Sequence, residues 1–110
     1  MLGRASAQPD SEATQAAARA LGYSGVAAYQ AGDYATAQDQ LEQSFELVKI
    51  PSLGLWSARA LVKVGKWVEA AERYQQVAAL PISFGDAAIQ QAAKADAERE
   101  RAELTPRIPT

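Results

Sequence analysis

The stretch Gly32-Asp33-Tyr34-Ala35-Thr36-Ala37 returns as Gly65-Lys66-Trp67-Val68-Glu69-Ala70, 33 residues later (65 − 32). Both copies read glycine, charge, aromatic, two residues, alanine. Upstream, the same register pairs Tyr23 with Trp56, Ser24 with Ser57 and Ala27 with Ala60. Downstream it pairs Leu41 with Tyr74, Gln43 with Gln76 and Leu47 with Leu80. A repeat of this length is the mark of stacked supersecondary units, each too small to bury its own apolar face.

The pattern reads as a helical hairpin. Glycine closes one helix because it enters the left-handed region without a Cβ penalty. Asp33 can cap the next helix by accepting from the amides of its first turn. Lys66 cannot cap in this way, so the second turn is less well specified. The aromatic packs back on the preceding helix, and the small alanine lets the two helices approach.

Taken in order, the chain is expected to hold about five helices separated by short breaks. Residues 1–9 read as a flexible segment. Within it, Ala5-Ser6-Ala7 resembles the end of a signal peptide, but no apolar core precedes it, and a small-residue tail is the plainer reading. Cytoplasm and bacterial periplasm or cell envelope both stay open. The first helix should start near Asp10, capped by Asp10 or Ser11, and reach Ala31. Gly22 and Gly25 lie within it at a spacing that favours close packing on another helix. The second should run from Asp33 to Val48, with Tyr34, Ala37, Leu41, Phe45 and Val48 on one face. Pro51 disfavours helix in the residue before it, and Ser52 is the expected cap of a third helix ending near Val64. A fourth spans Lys66 to Ala79 and is stopped by Pro81. A fifth begins at Asp86 and reaches Leu104, with Ile89, Ala92 and Ala93 as a weak apolar stripe. Its second half pairs charges, such as Lys94 with Glu98 and Arg99 with Glu103, in the manner of a solvated cap. Pro106 and Pro109 suggest an extended linker over residues 105–110. The domain thus covers residues 10–104, with hairpins near 10–48 and 52–80 and a capping helix near 86–104.

Composition narrows the chemistry. The 110 residues include no Cys and no His. This removes thiol nucleophiles, imidazole bases and the usual zinc ligands. Asp39, Glu42 and Glu46 fall on the outer side of the second helix and read as solvating charge. No glycine-rich phosphate loop occurs. The expectation is a non-enzymatic chain with no cofactor and no metal. With 11 basic and 13 acidic residues, net −2, it lacks the concentrated basic face that nucleic acid requires. No apolar run approaches the roughly 20 residues that span a bilayer.

The residues that carry the pattern resemble the tetratricopeptide repeat family. In the first unit they are Gly25, Gly32, Tyr34, Ala37, Leu41 and Leu47. In the second they are Ala58, Leu61, Gly65, Trp67, Ala70, Tyr74 and Leu80, with Pro81 at the exit. The resemblance covers Ala20 to Pro81, closest in the turn and second helix of each unit. The first helices are looser, with Ser24-Gly25 and Ser57-Ala58 where the family carries Leu-Gly. The resemblance implies an all-α fold of antiparallel hairpins stacked as a short right-handed superhelix. It also implies a groove, lined by the first helix of each unit, that takes a peptide or helix of a protein partner. The positions so implied are Gly22, Val26 and Tyr29, then Ser52, Leu55, Arg59, Val62 and Lys63, with Gln90 and Lys94 from the fifth helix. Val26 and Arg59 stand where carboxylate-clamp members carry Asn, so a chaperone-tail clamp is not expected. Two units are fewer than the three or so that usually suffice for stability. Self-association as a homodimer, within a larger protein, is therefore the alternative expectation.

Overall fold

A computed structural model of the chain describes residues 11–109. The segment 1–9 with Ala5-Ser6-Ala7, Asp10 as a cap, and Thr110 lie outside those residues. The described chain is all-helical: α1 Glu12–Gln30, α2 Tyr34–Leu47, α3 Pro51–Lys63, α4 Trp67–Ala79 and α5 Ala87–Leu104, followed by a 3-10 turn over Thr105–Arg107. α1 and α2 form one antiparallel hairpin, α3 and α4 a second, and α5 packs on both α3 and α4. No helix among the described residues is long and apolar enough to cross a membrane.

The two glycines of the repeat act alike. Gly32 has φ 84° and Gly65 φ 86°, and a Cβ on either would meet open space. At the first turn the Gly32 N–H donates to Tyr29 O at 3.0 Å and the Asp33 N–H to Ala28 O at 2.9 Å. At the second, Gly65 donates to Val62 O at 3.0 Å and Lys66 to Leu61 O at 2.9 Å. These bonds satisfy carbonyls that the helix ends leave open. The Asp33 carboxylate accepts from the Thr36 N–H at 3.3 Å, while Lys66 makes no side-chain cap. At the start of α1, Ser11 Oγ accepts from the Thr14 N–H at 3.0 Å.

Gly22, Gly25 and Gly54 serve close packing. A Cβ on Gly25 would lie 2.6 Å from Leu41 Cγ, and one on Gly54 would lie 2.5 Å from Val77 Cγ2 and 2.8 Å from Phe45 Cε1. The core comes in two parts on either side of α3. Ala37, Leu41 and Ala60 are buried beneath the first hairpin, with Val26, Tyr29 and Trp56 packed around them. Leu55, Leu61, Tyr74, Val77, Ala97 and Leu104 belong to the larger part, shared by α3, α4 and α5. Phe45, 1% exposed, lies between them.

Four expectations need correction. Ser52 does not cap α3: the helix opens on extended Ile50, with the buried Pro51 at its first position, where a missing N–H costs nothing. The stripe on α5 is Gln90, Ala93, Ala97 and Leu104 rather than Ile89, Ala92 and Ala93, and Ile89 is 58% exposed. Lys94 donates to the Leu80 carbonyl at 2.6 Å instead of pairing with Glu98. The C-terminal residues are not an extended linker: they turn at Thr105–Arg107, so that Ile108 packs on the core and the Arg107 guanidinium lies 4.8 Å from the Trp67 ring centroid.

Glu42 also departs from the solvating role expected for its helix face. Its carboxylate accepts from Arg73 Nη1 at 2.9 Å and Nη2 at 3.0 Å, and Arg73 also donates to the Ser57 hydroxyl. This cluster joins α2, α3 and α4 across the boundary between hairpins.

Candidate partner-binding face

α3 lies between α1 and α5, and the side it shares with both carries two clefts. The repeat explains part of the lining. Tyr23 and Trp56 occupy equivalent repeat positions and both line the first cleft, of about 370 Å³. Its other walls are mostly small or apolar, with Ala18, Gly22 and Val26 from α1, Leu53 from α3 and Phe84 from the loop before α5, while Gln15, Arg19 and Ser52 add polar groups. The second cleft, about 300 Å³, lies toward the C-terminal ends of the same helices. Tyr29, Arg59, Val62, Tyr74, Glu100 and Arg107 line it.

Between the clefts stands a stack of side chains. The Tyr29 ring meets Trp56 edge-on at 5.3 Å and Tyr34 at 5.3 Å. The Arg59 guanidinium covers the other part of Trp56, 4.8 Å from its centroid. Glu100 then grips Arg59: Nε donates to its two carboxylate oxygens at 3.0 and 3.1 Å, and Nη2 donates at 2.6 Å. The Tyr74 hydroxyl donates to the same carboxylate at 2.9 Å. A bidentate arginine pair of this kind fixes geometry as well as charge.

The ten positions implied by the sequence divide by what they touch, and Gly22, Val26 and Ser52 line the first cleft. Tyr29, Arg59 and Val62 come together in the second cleft. Lys63 is exposed, with its ammonium 5.4 Å from the Tyr34 ring centroid. Leu55, 5% exposed, is core and has almost no surface to offer. Gln90, 3% exposed, accepts from the Ser52 N–H at 2.8 Å, and so caps α3 from a different helix. Lys94 closes the end of α4 through the Leu80 carbonyl. These last three hold the fold together. Sequence reasoning missed Arg19, Tyr23, Leu53, Trp56 and Phe84 of the first cleft. The pairing of Tyr23 with Trp56 in the repeat was the one available signal.

The acidic groups of these networks are shifted. Burial pushes the Glu100 carboxyl up, but the hydrogen bonds from Arg59 and Tyr74 outweigh it, and the net shift is downward from 4.5. For Glu42 the leading cause is the Arg73 hydrogen bond, and its carboxyl is also held below 4.5. Burial first, and the bond to Glu100 second, push the Tyr74 hydroxyl well above its ordinary value.

Both carboxylates titrate lower in the folded chain than in the unfolded one. Their contribution is therefore complete above the ordinary carboxylate range and is lost as pH falls below about 4.5 through the folded values. Allowing for partial exposure, each pair contributes on the order of 1 kcal/mol. Urea midpoints should be flat from neutral pH to pH 5 and fall below it. Glu100→Gln should lower the neutral midpoint and flatten that acid limb. An acid limb unchanged in Glu100→Gln would remove Glu100 from this account.

Comparison with family models, curated proteins and solved structures finds no match.

Proposed function

We propose that this chain is a non-catalytic, tetratricopeptide-like interaction module, and that the side shared by α1, α3 and α5 binds a peptide or helix of a protein partner. The observation that carries this reading is the pair of open clefts flanking the Tyr29–Trp56–Arg59 stack. The first cleft is concave and mostly apolar, the usual form of a ligand site, and the second adds charged groups beside it. Tyr, Trp and Arg are also the residue types that dominate binding energy at protein interfaces. Arg59, held by Glu100 and laid on Trp56, loses little freedom on binding.

The test is to select binders from a random peptide library against the folded chain and map them by amide chemical shifts. Shifts concentrated at Tyr29, Trp56, Arg59 and Val62 are expected. Shifts concentrated on the outer residues of α2 and α4, such as Asp39 and Glu72, would overturn the reading.

A further inference from the structure

Resting on that reading, we infer that the first cleft recognises a partner segment in which a bulky apolar side chain stands next to a carboxylate. The apolar half of the inference follows from the walls. Ala18, Gly22, Val26, Leu53, Trp56 and Phe84 leave about 370 Å³ between α1 and α3, which pack on each other only lightly. Tyr23 stands at this cleft with 72% of its surface exposed, a large aromatic that the fold leaves uncovered.

Charge supplies the second half. Among the described residues the cleft has no acidic lining, although the chain as a whole has net charge −2. Arg19 is the one charged lining residue among them. Arg59, Arg73 and Arg99 all hold carboxylates within the fold, whereas Arg19 has no ion-pair or hydrogen-bond partner among the described residues. The Ser52 hydroxyl, which also lines the cleft, is likewise without a hydrogen bond among those residues. A guanidinium and a hydroxyl beside an apolar hollow complement a carboxylate carried next to an apolar side chain. The second cleft differs, because Glu100 and Glu103 line it together with its arginines.

The experiment uses three fluorescein-labelled peptides: Ser-Asp-Phe-Leu-Asp-Ser, its Asp→Lys counterpart, and its Phe→Ala, Leu→Ala counterpart. Anisotropy is read against the wild-type chain and Arg19→Glu, a surface change whose folding is checked by circular dichroism. The acidic peptide should bind the wild type at least about ten-fold more tightly than either counterpart. Arg19→Glu should reverse the preference between the acidic and basic peptides. Equal binding of acidic and basic peptides by the wild type would overturn the inference, as would binding of none of the three. So would self-association of the chain through this cleft, seen as a heavier species in sedimentation that Arg19→Glu abolishes. Library peptides that shift Tyr29, Arg59 and Val62 but not Tyr23 would sink this inference and leave the proposed function standing. Shifts confined to α2 and α4 would sink both.

Discussion

Phe45→Ala is expected to destabilise the chain by about 3–5 kcal/mol, a large fraction of the roughly 5–15 kcal/mol a domain possesses. The ring is 1% exposed and belongs to no single helix pair. From α2 it reaches the bare backbone at Gly54 in α3, and the Arg73 guanidinium of α4 lies 4.8 Å from its centroid. The substitution removes apolar contact on one side and the cation's partner on the other. Little can move in to fill the space. Leu41 and Val77 are fully buried nearby, and Ser44 is fixed by donating to the Ala18 carbonyl at 2.6 Å. Urea unfolding followed by circular dichroism measures the loss. A change below about 1 kcal/mol would mean that the joint between hairpins relaxes far more easily than its packing implies.

The second large effect comes from adding atoms in the same place. Gly54→Val should cost about 3 kcal/mol, the upper part of the usual range for overpacking. A first carbon alone would lie 2.5 Å from Val77 and 2.8 Å from Phe45, both inside van der Waals contact. The usual gain from replacing a helical glycine, about 1 kcal/mol with alanine, is smaller than this clash. A double-mutant cycle identifies the cause. Val77→Ala alone should destabilise, but combined with Gly54→Val it should cost clearly less than the sum, with a coupling above about 1 kcal/mol. Additive losses would place the strain elsewhere, in the backbone of α3.

Much of the architecture was legible because it is written in local chemistry. Gly32, Gly65, Asp33 and Pro81 act on residues close to them in the chain, and the helices they bound fall within a residue or two of expectation. Tertiary side-chain reach was not legible. Gln90 and Lys94 look like surface polar residues in sequence, and only the approach of α5 to Ser52 and Leu80 turns them into caps. The stripe on α5 was misplaced for a related reason. Its inner face is built from Ala93, Ala97, the terminal Leu104 and the polar Gln90 and Glu100, while Ile89 faces out. Periodicity of apolar residues carries little signal on such a helix. Of the binding face, Tyr29, Arg59 and Val62 followed from the repeat register. Of the first cleft, Gly22, Val26 and Ser52 followed in the same way, but Arg19, Tyr23, Leu53, Trp56 and Phe84 did not, because the cleft is a gap left between α1 and α3, and a gap has no motif.

The boundary between the hairpins has a further consequence. α1 packs on α2 and lightly on α3, and α5 lies at the other end of the stack. The two ends therefore sense each other mainly through the strip where Phe45, Gly54, Val77 and the Glu42–Arg73–Ser57 cluster meet. In a linear array, cooperativity is the product of such nearest-neighbour strips. This one decides whether the chain melts as a single unit or as two halves in succession, and whether tension applied at one terminus is felt at the other.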